Sequence, residues 1–159
     1  MRKIRLRGKY KNLSIIVDDE DYDWLSNLKW YLIKSPNHRY AVTNSGKNGQ
    51  VSVHRLLMSM SRGDIRQVDH INHDGLDNRK SNLRVCTRSQ NSMNRLSTKN
   101  HTSSFKGVSW NNNDRRWRSQ ISHKKKKIYL GNYKTEIEAA IKYDEMAKIL
   151  FGKFAVLNF

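Results

Sequence analysis

Cysteine and proline are almost missing from this sequence: its 159 residues hold one of each. The lone Cys86 excludes an internal disulfide and a cysteine-based zinc site. It closes the run Leu83-Arg84-Val85-Cys86, which reads as a strand with a buried thiol. No long apolar stretch occurs, so neither secretion nor membrane insertion is expected. Hydrophobic residues make up only 36% of the chain, below the roughly 45–50% of an ordinary globular domain. Small modules fit this composition better than one large core. Acidic residues are scarce as well. Asp and Glu number 14 against 31 Lys and Arg, for a net charge of +17 spread along the chain. Such a surface favours a polyanion, because each neutralised phosphate releases counterions. A membrane surface is disfavoured, since no segment joins a basic face to a broad apolar one. The expected partner is a nucleic acid, in a reducing, DNA-containing compartment.

Residues 1–66 read as a small mixed unit. Leu13–Val17 is an expected strand, and Asp18 or Asp19 is expected to cap a short helix through Leu28. Trp30–Ile33 and Arg39–Thr43 read as strands joined by a turn at Pro36-Asn37. A loop over Asn44–Gln50 leads to a strand at Val51–Val53, and Arg55–Met60 begins a short helix. Residues 67–96 change character, being rich in Asp, Asn, His and Arg. A segment so polar needs an outside organiser, such as a metal or a phosphate backbone. Residues 97–104 read as a linker. In residues 105–159, Phe105–Trp110, Arg116–Ser122 and Lys126–Tyr133 read as three strands. Thr135 and Glu138 then form a capping-box pattern at the start of a helix that Gly152 ends. Ile137, Ala140, Ile141, Ala147 and Leu150 carry its apolar period.

The chemistry concentrates in Asp69-His70, followed after eleven residues by Asn82 and after eight more by Asn91. Phosphodiester hydrolysis needs a base near neutral pH, and His70 supplies one. It also needs a hard cation, for which Asp69 and Asn91 offer oxygens. As strand neighbours, Asp69 and His70 point to opposite faces. A bulged or loop backbone is expected to bring both to one phosphate. Asn82 can bond the facing strand and fix the loop that carries His70.

This pattern resembles the HNH endonucleases, specifically the homing-type enzymes whose last His is replaced by Asn. The likeness covers roughly residues 50–96, and includes His54-Arg55 and Asp77-Asn78-Arg79. It implies two antiparallel strands and a helix gripping one metal ion, here Mg²⁺ or Mn²⁺ at one per active site. The strands fall near Val68–Ile71 and Leu83–Cys86, and the helix over about Thr87–Leu96. The resemblance implies His70 as general base, Asn82 as the residue that orients it, and Asp69 and Asn91 as metal ligands. His54, His73 and Asn94 are further candidates for the site. Arg79, Arg84, Arg88 and Arg95 are expected DNA contacts.

The last unit resembles the AP2 DNA-binding domain. The residues that carry this are Lys106-Gly107-Val108, Trp117, Tyr129-Leu130-Gly131, Glu138-Ala139-Ala140, Tyr143-Asp144 and the ending Ala155–Phe159. The family lays a three-stranded sheet in the major groove and backs it with one helix. Strand alternation agrees: Trp117, Ser119 and Ile121 share one face, and Arg116, Arg118, Gln120 and Ser122 the other. Arg116, Arg118 and Gln120 can read base edges. Lys127 and Tyr129 share one face of the third strand, with Ile128 and Leu130 opposite. Lys124 and Lys125 sit in the turn before it and are expected at phosphates, and Lys106 joins them as a DNA contact.

The fold class expected is α+β. A mixed unit over residues 1–66 leads, through 50–66, into a ββα-metal core at 67–96. A linker and an AP2-like unit at 105–159 follow. The function expected is site-directed, metal-dependent DNA cleavage of the homing type, by a nicking monomer in the cytoplasm of a phage- or mobile-element-type host cell. The alternative is a sequence-specific DNA-binding regulator with an inactive nuclease core.

Overall fold

The computed structural model describes residues 1–35, 38–44, 46, 49–94 and 102–159. The expected turn at Pro36-Asn37, Arg95, the helix end at Leu96 and the linker over residues 97–101 lie outside the described residues. The chain is α+β and divides into two compact units, Met1–Arg88 and Ser89–Phe159. Among the described residues no helix is long and apolar enough to cross a membrane.

The first unit opens with a hairpin of β1 (Arg2–Arg5) and β2 (Ser14–Val17). The helix α1 (Asp19–Ser26) follows, with Asp19, Glu20 and Asp21 in its first turn, where the positive end of the helix dipole favours them. Asp18 stands at its N-cap, but its side chain does not cap the helix. Its carboxylate instead accepts the backbone N–H of Lys80 at 2.8 Å. An antiparallel sheet of β3 (Tyr31–Ser35), β4 (His38–Asn44) and β5 (Gln50–Ser52) comes next. The helix α2 (Val53–Leu57) starts two residues earlier than expected and takes His54 into its first turn. The hairpin of β6 (Gln67–His70) and β7 (Leu83–Cys86) completes the unit.

One hydrophobic core serves most of these elements. Ile15 and Leu25 from the start of the unit pack in it with Ala41, Val68, Leu76 and Leu83. Trp30 is its largest fully buried side chain, and its indole N–H donates to the Leu25 carbonyl at 2.9 Å. The polar segment after residue 66 is thus organised by the core of the residues before it.

The helix α3 (Arg88–Met93) begins at the junction of the units. In the second unit β8 (Val108–Asn111), β9 (Arg116–His123) and β10 (Lys126–Tyr133) form an antiparallel sheet with β9 central. The helix α4 (Glu136–Phe151) covers one face. Its capping box is complete: Thr135 accepts from the Glu138 N–H at 3.2 Å, and the Glu138 carboxylate accepts from the Thr135 N–H at 3.0 Å. Its buried face overlaps the expected one at Ala140, Ala147 and the core-packed Leu150, but is turned away from the two isoleucines. Ala139, Ala140, Tyr143, Ala147 and Phe151 are buried, whereas Ile137 and Ile141 are exposed. Close approach explains the choice, because small side chains let the helix sit near the sheet. Gly107 shows how near: a Cβ there would lie 2.0 Å from the Tyr143 ring.

Candidate active site and DNA-facing sheet

The loop between β6 and β7 is stitched to β2. Ile16 donates its N–H to the Leu76 carbonyl and accepts from the Asn78 N–H, both at 2.8 Å. Asn82 braces the loop from within. Its Nδ2 donates to the Asp77 carbonyl at 2.7 Å and to Asn72 Oδ1 at 2.9 Å, and its Oδ1 accepts the Asn72 N–H at 3.0 Å. Asn82 therefore acts on the loop's shape. The residue that meets His70 itself is Asn78, which the sequence marks only as part of the Asp77-Asn78-Arg79 motif, with no role assigned.

His70 ends β6 and is buried, as is Asp69. The ladder is regular here, with Asp69 opposite Arg84 and His70 opposite Leu83. No bulge interrupts the ladder, and the strand gives way to the loop directly after His70. His70 Nε2 lies 3.1 Å from Asn78 Oδ1. The Asn78 amide is oriented by its Nδ2, which donates to the Gly75 carbonyl at 3.4 Å. With Oδ1 as acceptor, Nε2 carries the proton and Nδ1 holds the lone pair. Burial pulls the His70 imidazole below the usual histidine range, while the Asn78 hydrogen bond and the Asp69 charge pull the other way. The ring therefore favours its neutral, proton-accepting form.

His54 stands edge-on to His70, with ring centroids 5.1 Å apart. Its Nε2 lies 3.0 Å from Ser52 Oγ. Burial, with the charges of His70 and Arg55, pulls it down to about 3. His73 is exposed, in a left-handed conformation at φ 64°.

Three expected DNA contacts, Arg84, Arg79 and Lys106, have partners of their own. Arg84 is turned inward, and its Nε and Nη2 both reach Asp69 Oδ2, at 2.8 and 2.7 Å. Its place opposite Asp69 in the ladder dictates this pairing. Arg79 is held by Asp77 at 2.6 Å, its guanidinium about a third exposed. Lys106 donates to the Met93 carbonyl at 2.6 Å, and burial pulls its ammonium down to about 8. Arg118, central on β9, is partly buried between Ser109 and Asn132, and its Nε has no hydrogen-bond partner among the described residues. Arg88 is exposed. Asn91 lies on α3 and the buried Asn94 just after it.

Asp69 offers a carboxylate oxygen within the first unit and Asn91 an amide oxygen within the second, the oxygen donors that hard divalent cations favour. No three His, Cys, Asp or Glu side chains form a metal cage among the described residues. Cys86 is no soft ligand, because burial pushes its thiol up to about 11.

Comparison with known proteins decides the family. A relative from Acanthamoeba polyphaga mimivirus, named an uncharacterized HNH endonuclease, is 36% identical over 157 residues, covering 96% of this chain and 79% of the relative. The family model described as HNH endonuclease matches residues 51–93. The chain belongs to the HNH endonucleases. A second model, described as AP2 domain, matches residues 103–153. This HNH endonuclease thus joins a nuclease region to a DNA-binding AP2 domain.

The AP2 sheet has the alternation read from the sequence. Ser119 and Ile121 are buried under α4, with Trp117 packed beside Ala139 and Ala140. Arg116 and Ser122 are exposed on the other face, and Gln120 pairs with the exposed Tyr129. A bulge falls between Tyr129 and Gly131, and Ile128 and Leu130 both pack toward α4. Lys124 and Lys125 form the two-residue turn between β9 and β10, with φ of 48° and 64°. Such turns need positive φ at both central residues, which lysine adopts reluctantly. The exposed Lys127 follows on the face that carries Tyr129.

Proposed function

We propose that this HNH endonuclease is a site-directed, metal-dependent enzyme of the homing type, with His70 as general base. The observation that carries the reading is the His70–Asn78 hydrogen bond at 3.1 Å, which puts the ring proton on Nε2 and the lone pair on Nδ1. Nδ1 accepts a proton from the attacking water, and Asn78 stabilises the charged ring by accepting from Nε2. Asn82 keeps the loop that presents Asn78. Asp69, its carboxylate oriented by Arg84, and Asn91 would hold the cation, Mg²⁺ or Mn²⁺. When bound, that ion supplies positive charge to the phosphate as negative charge builds on it.

The AP2 sheet selects the site on double-stranded DNA. Arg116, Arg118, Gln120 and Tyr129 face bases, and Lys124, Lys125 and Lys127 face phosphates. Each chain carries one His70 site, which supports nicking by a monomer. The test is plasmid cleavage in chelator, then with Mg²⁺ or Mn²⁺ restored. Activity that disappears and returns while DNA binding persists supports the reading; cleavage that survives chelation contradicts it.

A further inference from the structure

His70 is walled by two rings from outside the β6–β7 hairpin. Tyr40, on β4, lies stacked over the imidazole, with centroids 5.9 Å apart and planes inclined by 23°. His54, on α2, meets the same imidazole edge-on at 5.1 Å and 83°. The walls also touch each other, edge to face at 5.0 Å. Both are fixed from behind. Ser52 holds His54 Nε2, and Gly75 leaves so little space that a Cβ there would lie 2.9 Å from the Tyr40 ring. Gly75 also carries the carbonyl that orients Asn78.

Position demands more than one hydrogen bond. A hydrogen bond at Nε2 fixes one atom of the ring and leaves its plane to be set by packing. A face contact and an edge contact set that plane from two directions. We propose that Tyr40 and His54 are positioning residues, which act through His70 by holding its imidazole plane against the water it deprotonates. This rests on the reading of His70 as base. His54 serves as a neutral wall. Its Nδ1 is buried and has no hydrogen-bond partner among the described residues. A charged ring there would repel the imidazolium that forms on His70.

The test compares Tyr40→Leu and Tyr40→Met, which remove the ring, with Tyr40→Phe, which keeps it. His54→Leu examines the second wall. Single-turnover cleavage, DNA affinity and melting temperature are measured for each, with His70→Ala as control. The ringless variants should cleave roughly 10- to 100-fold more slowly, the scale of a small misplacement of a reacting group. Their DNA affinity should not change, and Tyr40→Phe should recover most of the lost rate. Nitrogen-15 spectra of the His70 ring should show the Nε2-protonated tautomer alone in the wild type and a mixture in the ringless variants. A ringless variant of Tyr40 that melts normally and cleaves at the wild-type rate overturns the proposal. So does Tyr40→Phe matching the slowness of Tyr40→Leu, since the hydroxyl would then be what matters. Full cleavage by His70→Ala would instead remove the base itself, which separates the two failures.

Discussion

Asn78 accepts from the ring of His70 at 3.1 Å while its own N–H and the stitch to Ile16 pin it to β2. The hairpin alone does not set the orientation of the imidazole. The N-terminal hairpin does, through a residue that is fully buried. Replacing Asn78 with Ala should free the ring and leave a buried polar nitrogen unmatched. Such a loss costs about 1–3 kcal/mol in stability. Cleavage should fall more than melting temperature predicts, and denaturant titration beside kinetics checks both. Wild-type kinetics in Asn78→Ala would remove Asn78 as the anchor.

Gly75→Ala tests the same frame by crowding it. A Cβ at Gly75 would lie 1.9 Å from the Arg39 carbonyl, and that backbone cannot yield cheaply. Overpacking of this kind costs about 1–3 kcal/mol or more. The variant should melt lower and cleave poorly, with DNA affinity preserved in the AP2 domain. An unchanged melting temperature would show that the loop can move off β4.

Acid should weaken the first unit through His54. Its folded value lies near 3, below the ordinary histidine value. Between those two values the unfolded chain binds a proton that the folded chain refuses. Stability from this group is full above about pH 6.5 and is lost as pH falls toward 3, by up to about 1.4 kcal/mol per unit. The measurement is urea unfolding from pH 7 to 4 for wild type and His54→Asn. The wild type should lose stability faster than the variant, and parallel curves would contradict the buried, neutral state.

Arg118 and Lys125 should separate reading from gripping. Arg118 sits in the middle of the reading face, paired across the sheet with Ser109 and Asn132. Arg118→Ala should cost about 1–3 kcal/mol and relax preference at one base pair. Lys125 is in the exposed turn. Lys125→Ala should weaken all sequences alike and reduce the salt slope by about one charge. Binding to single-base variants at two salt concentrations checks both. A uniform loss in Arg118→Ala would mean that this sheet holds backbone only.

Much of this architecture was legible before any coordinates. Alternation placed Ser119 and Ile121 under α4, and the motif order placed β6, β7 and α3. What escaped was local sequence with weak signals. The strand β1 reads Arg-Lys-Ile-Arg, with one apolar residue to mark it. Tyr40 was visible only as an aromatic in a strand, because its partners His54 and His70 are brought to it by tertiary packing. Arg84 looked like a DNA contact, yet counting the antiparallel pairs from His70–Leu83 puts it opposite Asp69. The polar stretch over residues 67–88 seemed to lack a core because Val68, Leu76 and Leu83 are few, but they fill a core built by residues before it.

The most direct measurement is single-turnover cleavage by His70→Ala, with DNA affinity determined on the same preparation. A positioned base is worth roughly 10²–10⁴-fold. The account predicts a loss on that scale, with affinity unchanged because one near-neutral side chain is removed from a chain of net charge +17. Cleavage near the wild-type rate by a folded His70→Ala would contradict it.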